Sequence, residues 1–405
     1  MMKPSEKQIV SPVSPQFGAW KKVKLEEVAE SIQTGPFGSQ LHQSDYSIEG
    51  TPVIMPKDII EGKVSTETIA RVEELHVTRL ARHKVKEGEI VYSRRGDVGK
   101  CAYITKKQEG WLCGTGCLKV TINKNEASPK FIFYQLQKKS VIGWIEKHAK
   151  GATMANLNTS ILSDVPLELP SISIQDSIAT TLSRYDKLIA NYQRQIKLLE
   201  EAAQRLYKEW FVDLHFPGHE NVKVIDGVPE GWEKCELGDI ATFKRGKTIT
   251  KNNIKEGNVP VVAGGLNPAY FHDTANTKAP VITVSGSGAN AGYTRLYHTD
   301  VWASDCSYID QSTSESIYFV YCFLKVNKVY LDNLQKGAAQ PHVYAKDINQ
   351  MPILKPSQGI LDAFNNLVKL YFNTIGNLEH QITLLTESRD RFLPKLMSGE
   401  IELKI

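Results

Sequence analysis

The sequence lacks the features that mark several broad classes of protein. No run of about 18 or more apolar residues occurs along its 405 residues, which excludes an ordinary transmembrane helix. Basic residues exceed acidic ones by only four, whereas a strongly basic chain is the usual mark of a nucleic-acid binder. Any contact with DNA must therefore depend on local positive charge.

Cysteine is also scarce, and its distribution argues against a metal site. Six cysteines are scattered along the chain, and only Cys113 and Cys117 lie close together. A structural zinc site needs a second ligand pair at a matching distance, and neither a CxxC pair nor a paired-histidine motif supplies one. We therefore predict free, buried thiols and no metal.

Motifs of catalysis are missing as well. The sequence contains no HExxH motif and no nucleophile elbow, and acids such as Asp164 and Asp305 have no partner that the sequence identifies. The glycine-rich segment 285–292 has neither the lysine nor the following hydroxyl residue of a P-loop, so we interpret it as a strand-to-strand turn. The residues thus predict a binding protein that is not an enzyme.

The sequence contains an internal repeat. Over residues 178–210, apolar or small residues recur in steps that alternate between four and three, which is typical of a coiled-coil seam. Adding 186 to each number gives the same spacing over 364–396, with Arg389 as the one departure. Upstream, Trp20 matches Trp232 at an offset of 212, so the first half carries 26 more residues, which we place in surface loops.

Each half also repeats an order of strands and helices. Short apolar runs and glycine turns predict strands near 52–55, 89–93 and 117–122 in the first half, and near 259–262, 280–285 and 301–304 in the second. A helix is predicted next in each half, over 129–150 and 316–336, and both helices end at a matched Lys-Gly-Ala segment. The fold class is therefore α+β, with two tandem globular domains and two long helices.

The repeat sets the expected domain boundaries. The globular domains are predicted over 17–171 and 217–356, and the helical regions over 172–216 and 357–405. Residues 1–16 contain three prolines and no apolar core, so we expect a disordered lead-in and not a signal peptide. This favours a cytoplasmic protein.

The two seams most simply pair with each other. An antiparallel coiled coil would relate the halves by a pseudo-two-fold axis and place the globular domains at opposite ends, so that the helices act as a spacer. Alternatively, each helix packs on its own domain, or the helices pair between two copies of the chain. Arg389 stands where the first copy has Ala203; it is either salt-bridged or snorkelling, or a polar residue that fixes the register or faces a docked subunit.

Three motifs, together with the repeated plan, give the chain a family resemblance. They are the segment 34–41 (TGPFGSQL), the Lys-Gly-Ala element of both halves, and the segment 393–401 (LPKLMSGEI). On these residues the chain resembles the specificity (S) subunit of a type I restriction-modification system, over about residues 18–405.

The resemblance implies a division of labour within a larger complex. Each globular domain would be a target recognition domain that reads one half of a bipartite, asymmetric site in double-stranded DNA. The coiled coil would set the spacer and dock methyltransferase subunits, usually two, and a motor-nuclease (restriction) subunit would join them. Adenine methylation and DNA cleavage would belong to those partners, which would bind S-adenosylmethionine, ATP and magnesium, while this chain would bind no cofactor and no membrane. The rival functions are a stand-alone sequence-specific DNA-binding protein and a pure scaffold.

Contacts with bases are predicted at the glycine turns. There the backbone can approach a ligand closely, and arginine can bind guanine in a bidentate fashion. For the turn at 93–100 the alternative is a solvated, charged hairpin. In the first domain the candidates are Arg94, Arg95 and Lys100 at this turn, with Gln33, Ser39 and Gln40 near the Gly-Pro-Phe-Gly loop. In the second domain they are Lys244, Arg245, Lys247, Ser287 and Asn290. The positions expected to form the coil or to dock partners are Ile189, Ile196, Leu199, Leu206, Ile375, Ile382, Leu385 and Phe392.

Overall fold

The computed structural model describes residues 20–149, 156–337 and 340–401. The chain forms two compact units: unit 1 runs up to Leu188 and resumes at Leu385, and unit 2 comprises Ile189–Leu384. Three expectations lie outside the described residues, namely the lead-in over 1–16, the Lys-Gly-Ala segment at 150–152, and Ala338 of its counterpart.

Unit 1 combines short strands with helices that follow them. Its strands are β1 (Lys21–Lys24), β2 (Ala29–Thr34), β3 (Tyr46–Ser47), β4 (Thr51–Ile54), β5 (Ile59–Ile60), β6 (Lys63–Val64), β7 (Ala70–Val72), β8 (Ile90–Ser93), β9 (Cys101–Tyr103), β10 (Leu112–Cys113), β11 (Cys117–Ile122) and β12 (Pro166–Leu169). Its helices are α1 (Leu25–Val28), α2 (Glu74–Arg79), α3 (Pro129–Leu136), α4 (Lys139–His148), α5 (Thr159–Ser163) and the first part of α6 (Ile172–Tyr207).

Two four-stranded sheets organise unit 1. One is antiparallel throughout, with the order β2-β11-β8-β9, and the other has the order β10-β4-β7-β3 with β10 parallel to β4. Strand β11 shows why the sequence folds in this way, because Leu118 and Val120 point into the core while Lys119 and Thr121 lie on the other face. The strands β1 and β12 pair separately, directly before α6.

Unit 2 repeats this arrangement. Its strands are β13 (Val224–Ile225), β14 (Val228–Pro229), β15 (Glu233–Glu236), β16 (Lys244–Arg245), β17 (Val259–Val262), β18 (Tyr270–His272), β19 (Val281–Ser285), β20 (Thr294–Tyr297), β21 (Trp302–Ala303), β22 (Cys306–Asp310) and β23 (Pro352–Lys355). Its helices are α7 (Leu237–Ile240), α8 (Ile317–Val326), α9 (Lys328–Asn333), α10 (Ala345–Asn349) and most of α11 (Gln358–Met397).

The strand order of unit 2 matches that of unit 1, except that its second sheet has three strands instead of four. The antiparallel sheet has the order β16-β22-β19-β20, and the second sheet has the order β18-β17-β21 with β21 parallel to β17. Strands β15 and β23 pair before α11, as β1 and β12 pair before α6. The predicted α+β fold with two tandem domains is confirmed.

Both predicted helices that follow the strands are broken in two, so their prediction as single helices was wrong. In unit 1, α3 is buried on nearly every side from Phe131 to Leu136, whereas the polar residues after it offer no apolar face to continue it. The chain therefore ends α3 with tight turns at Gln137 and Lys138 and starts α4 in a new direction. In unit 2, the side chain of Asn327 donates to the carbonyl of Phe323 at 2.9 Å and ends α8.

The long helices α6 and α11 contain the two predicted seams. A π-helical turn, Lys208–Val212, extends α6. In unit 1 Asp186 of α6 contacts Arg389 of α11, and in unit 2 Tyr207 contacts Phe364, so the contacts run along the two helices in opposite directions. The predicted antiparallel pairing is confirmed.

The seams also complete the core of each unit. In unit 1, Leu182 of α6 and Leu396 of α11 are buried in the same cluster as Phe131 of α3. In unit 2, Tyr207 of α6 and Phe364 of α11 are buried with Phe319 of α8. Pairing between the two helices and packing of each helix on a domain were alternative predictions from the sequence. In the structure the helices do both.

The start of α6 lies six residues before the predicted start of the seam. Gln175, which is 1% exposed, accepts a hydrogen bond from the backbone N–H of Ser128 at 2.9 Å. Its amide donates to the carbonyl of Pro170, also at 2.9 Å. The bond from Ser128 fixes the first turn of α6 against the chain segment that starts α3, and the bond to Pro170 fixes it to the segment that leads into α6.

Arg389 is salt-bridged. Its guanidinium lies 3.0 Å from Asp186 and 2.9 Å from Asp390. Asp186 also accepts a hydrogen bond of 2.5 Å from the hydroxyl of Tyr134, whose pKa is raised by burial and by this carboxylate. The ion pair of Arg389 with Asp186 joins α11 to α6, which agrees with the salt-bridged alternative. It also fixes the register of the two helices locally.

Within the described residues, no helix combines the length and the apolar character that crossing a membrane requires. The six cysteines are free, and Cys235 is only half-buried whereas the other five are buried.

We predict that Phe364→Ala strongly destabilises unit 2. Phe364 is fully buried and its ring centroid lies 5.0 Å from that of Phe211 and 5.9 Å from that of Trp210. Truncating a buried phenylalanine leaves a cavity and costs about 3–5 kcal/mol of unfolding free energy. Urea denaturation followed by circular dichroism measures this cost.

Leu370→Ala is the matched control on the same helix. Leu370 is 65% exposed, so its truncation should change the unfolding free energy by no more than about 0.5 kcal/mol. Equal effects of the two substitutions would contradict the assignment of Phe364 to the core.

Candidate nucleic-acid interface

The predicted turn of the first domain follows β8 and is held by its backbone. The N–H of Arg94 donates to the carbonyl of Gly116 at 2.8 Å, and the carbonyl of Arg94 accepts from the N–H of Leu157 at 2.9 Å. Gly96 lies at φ +72°, a left-handed conformation that favours glycine. The turn is therefore a fixed platform and not a loose hairpin.

The three predicted side chains at this turn differ in their surroundings. Arg94 is half-buried, and its Nε donates to Oδ1 of Asn156 at 3.3 Å. Lys100 is exposed and lies 2.5 Å from Asp97, as expected of a solvated, charged hairpin. Arg95 is exposed and makes no ion pair in the part of the chain that the structure describes, so it has the guanidinium most available to a ligand.

The Gly-Pro-Phe-Gly loop lies beside this turn. Gly35 donates to the carbonyl of Cys117 at 2.9 Å, and a Cβ at Gly35 would lie only 2.0 Å from the carbonyl oxygen of Gly114. Gln40 accepts a hydrogen bond of 3.1 Å from the N–H of Phe37, so its side chain holds its own loop. Ser39 is exposed.

The second domain repeats both backbone arrangements. Gly246 donates to the carbonyl of Cys306 at 2.8 Å, and a Cβ there would lie 2.3 Å from the carbonyl oxygen of Ser304. Gly286 donates to the carbonyl of Asp305 at 3.2 Å and accepts from the N–H of Val343 at 3.1 Å. Gly246 thus corresponds to Gly35, and Gly286 corresponds to Arg94.

The predicted residues of the second domain surround this backbone. Lys244, Arg245 and Lys247 are exposed next to Gly246. Asn290 is half-buried in the turn after Gly286, and its carbonyl accepts from the N–H of Tyr293 at 2.9 Å.

A pocket joins two of these predicted residues to others that were not predicted. Its volume is about 260 Å³. The polar and aromatic residues that line it include Arg245, Ser287, Asp305, His342 and Tyr344. The hydroxyl of Ser287 donates to Oδ2 of Asp305. The rings of His342 and Tyr344 are nearly parallel, at 12°, with centroids 5.9 Å apart. The pocket thus supplies a partner for Asp305 that the sequence alone could not identify.

A larger groove of about 820 Å³ crosses the polar face of strands β2 and β11 in the first domain. Its floor contains the buried pair Lys119–Glu89, with Nζ and Oε1 3.4 Å apart. Gln33, a predicted residue, lines the groove. The cations along its walls are Arg82, Lys84, Lys86 and Lys124.

Sequence reasoning missed the cations of this groove. The signal was present as a cluster of basic residues, Arg79, Arg82, Lys84 and Lys86, on the segment 79–86. Within this cluster, burial and the charge of Arg82 lower the pKa of His83. A neutral ring accepts a hydrogen bond of 3.0 Å from Nε of Arg82, which orients that guanidinium.

The predicted coil positions differ in exposure. Ile189 and Ile375 are buried, while Phe392 is 40% exposed and its ring centroid lies 6.4 Å from that of Tyr185. The half-buried positions are Ile196, Leu199, Leu206, Ile382 and Leu385. Their part in docking a partner stays a prediction.

In the described ranges, the residues at these turns include buried thiols and no metal cluster. Burial raises the pKa of the Cys113 thiol to about 12, so this thiol beside the Gly114 turn is protonated near neutral pH. Among the described residues, no group of three or more histidine, cysteine, aspartate or glutamate side chains is placed to hold a metal ion.

Comparison with known proteins places the chain in a family. The profile described as the type I restriction modification DNA specificity domain matches residues 18–201 and 229–383, which is most of the chain. The chain belongs to this family. The resemblance noted in the sequence is therefore confirmed.

Individual relatives align over nearly the whole chain. The MjaIX specificity subunit, from a type I restriction enzyme of Methanocaldococcus jannaschii, is 26% identical over 422 residues, which cover 95% of this chain and 94% of that protein. The HindI specificity subunit of Haemophilus influenzae is 22% identical over 469 residues, with 94% and 99% covered. The crystal structure of a type I restriction-modification S subunit from M. genitalium has the same fold, with a TM-score of 0.60, 19% identity, and 98% and 99% covered.

The exposed guanidinium of Arg95 at the first of the matched turns gives a prediction for DNA binding. We predict that Arg95→Ala lowers discrimination at one base pair of the first half-site by about 1–3 kcal/mol, the usual worth of an arginine that binds guanine in a bidentate fashion. Binding of duplexes with single substitutions in the half-site measures the change. Arg94→Ala should have a similar or smaller effect, because Arg94 also bonds to Asn156. Unchanged affinity and preference in both variants would exclude this turn from the interface.

We predict a different effect for the groove. Lys84→Ala combined with Lys86→Ala should weaken binding to all DNA sequences alike and lower the slope of log K against log salt by about two, because each lost phosphate contact lowers it by about one. Titration over several salt concentrations measures the slope. Lys106→Ala is the control, since Lys106 pairs with Glu109 outside the groove. Equal slopes for the two variants would exclude the groove as a phosphate contact.

Proposed function

We propose that this chain is the DNA sequence-recognition subunit of a type I restriction-modification complex. Each globular domain reads one half of a bipartite site, and the paired helices set the spacer and dock the methyltransferase subunits. The chain itself performs no catalysis, and S-adenosylmethionine, ATP and magnesium bind to the methyltransferase and restriction subunits.

The observation that carries the proposal is the match between the two domains. Their antiparallel sheets have the same strand order, and the same backbone hydrogen bonds hold Gly35 and Gly246. The side chains at the matched turns differ, with Arg94 and Arg95 in one domain and Gly286 and Ser287 in the other. One scaffold with two sets of side chains is what reading two different half-sites requires, so the full site should be asymmetric.

The alternative is a stand-alone DNA-binding protein without a methyltransferase. Such a protein would share the domains, but it would have no use for apolar side chains exposed along the helices. In unit 2 several leucines of α6 and α11 are about half exposed or more, namely Leu198 at 54%, Leu370 at 65% and Leu384 at 49%. These positions favour a protein partner on the helices.

The decisive experiment is a genome-wide map of methylated adenines in cells with and without this chain, made by single-molecule sequencing. We expect one bipartite, asymmetric motif to lose its methylation when the chain is deleted. An identical map with and without the chain, in cells shown to express an active methyltransferase partner, would contradict the proposal and favour the stand-alone binder.

The role of the helices as a spacer gives a second prediction. Adding four residues within 193–201, matched by four within 377–387, lengthens the helical pair by about 6 Å, which corresponds to about two base pairs of duplex DNA. We expect the methylated motif to gain about two unread base pairs while both half-sites stay the same. A motif with an unchanged spacer would show that the helices do not set it.

A further inference from the structure

The two charged residues that line the pocket of the second domain are not neutralised by each other. In the described part of the chain, no ion pair joins the guanidinium of Arg245 to the carboxylate of Asp305. The Oδ2 atom of Asp305 accepts a hydrogen bond from the hydroxyl of Ser287, which orients the carboxylate. A donor group and an acceptor group therefore line the same small pocket.

The backbone fixes the positions from which both side chains project. Arg245 precedes Gly246, whose close approach to Ser304 leaves no room for a side chain. Asp305 accepts a backbone hydrogen bond of 3.2 Å from Gly286, next to Ser287. The fixed backbone and the oriented carboxylate of Asp305 favour selective recognition, because they lower the cost of ordering the pocket on binding.

The pairing of a guanidinium with a carboxylate indicates what the pocket binds. A carboxylate repels phosphate, so the pocket is poorly suited to the DNA backbone alone. In the major groove, guanine presents the acceptors O6 and N7, which suit arginine, and cytosine presents an amino donor, which suits a carboxylate. The acceptors of guanine and the amino group of cytosine in one G·C pair thus match the two charged groups of the pocket.

We infer that this pocket reads a G·C base pair in the half-site of the second domain, with Arg245 donating to guanine and Asp305 accepting from the cytosine amino group. This inference rests on the proposed function and assigns a base pair to named residues. His342 and Tyr344 form the aromatic side of the pocket, where their stacked rings limit the space around the base pair.

At the matched positions, all of which lie in the described residues, the first domain lacks this charge arrangement. The matched backbone hydrogen bonds place Thr34 where the second domain has Arg245, and Gly116 where it has Asp305. The first half-site therefore serves as an internal control, since variants of the pocket should leave it unchanged.

The test uses the full chain together with its methyltransferase, and compares the wild type with R245K and D305N. Both substitutions keep the approximate size of the side chain, while R245K removes the fork that binds guanine in a bidentate fashion and D305N replaces the carboxylate. The methylated motif is mapped for each variant, and binding is measured on duplexes in which single G·C pairs of the site are replaced by A·T. Thermal denaturation checks that each variant is folded.

We expect both variants to relax the same G·C position of one half-site, with discrimination there falling about 10- to 100-fold. The other half-site and the spacer should stay the same. Lys247→Ala, next to the pocket, should instead weaken binding to all sequences to a similar degree.

Two negative results are distinguishable. If the wild type recognises a bipartite site but neither variant changes any position of it, the pocket does not read a base pair and the proposed function stands. If the wild type binds no bipartite duplex and directs no methylation, the proposed function fails and the pocket inference fails with it.

Discussion

The burial of two helical seams against each domain is the constraint on which the rest of the structure depends. Each core is closed by segments that are far apart in sequence. In unit 1 they are a helix of the domain, the start of α6 and the end of α11, and in unit 2 they are α8, the end of α6 and the start of α11. Neither domain completes its core from its own contiguous sequence, so its stability depends on the pairing of the helices.

Because the helices and the sheets form the cores, the side chains at the turns that follow the strands can vary. The positions of the turns are fixed by backbone groups, as at Gly35 and Gly246, where a side chain would collide with a carbonyl oxygen. Because the hydrogen bonds use only main-chain atoms, side chains next to them can change without loss of the scaffold. The arginines of one domain and the serine and aspartate of the other are two outcomes of this freedom.

The sequence predicted the parts of the fold that repeat over many residues. The seams of α6 and α11 recur in regular steps, and β11 and β17 coincide with the predicted runs at 117–122 and 259–262. The breaks at Gln137 and Asn327 were not predictable from periodicity, because each depends on how the preceding helix is buried or capped. The contact of Gln175 in the first turn of α6 with Ser128, 47 residues away, likewise has no signal in the periodicity.

The candidate sites were predictable only in part, for a related reason. Arg94, Arg95 and Arg245 could be chosen by residue type beside a glycine, but the sequence could not show that Ser287 orients Asp305. The groove joins Gln33, Lys84 and Lys119 from separate segments through the pairing of strands. Residue type thus identified several members of the turns but only Gln33 in the groove, whereas the sheet determines which members lie together.

The ion pair between Asp186 and Arg389 makes the two copies of the seam chemically distinct. Asp186 is matched by Phe372 of the second copy, and Arg389 is matched by Ala203 of the first copy; Phe372 and Ala203 are both buried in the core of unit 2. If the first seam paired with a second molecule of itself, Asp186 would face alanine instead of arginine and would lose its cation. The ion pair thereby favours pairing of α6 with α11 of the same chain over pairing of α6 with α6 of a second molecule. The two copies of the repeat are therefore not interchangeable.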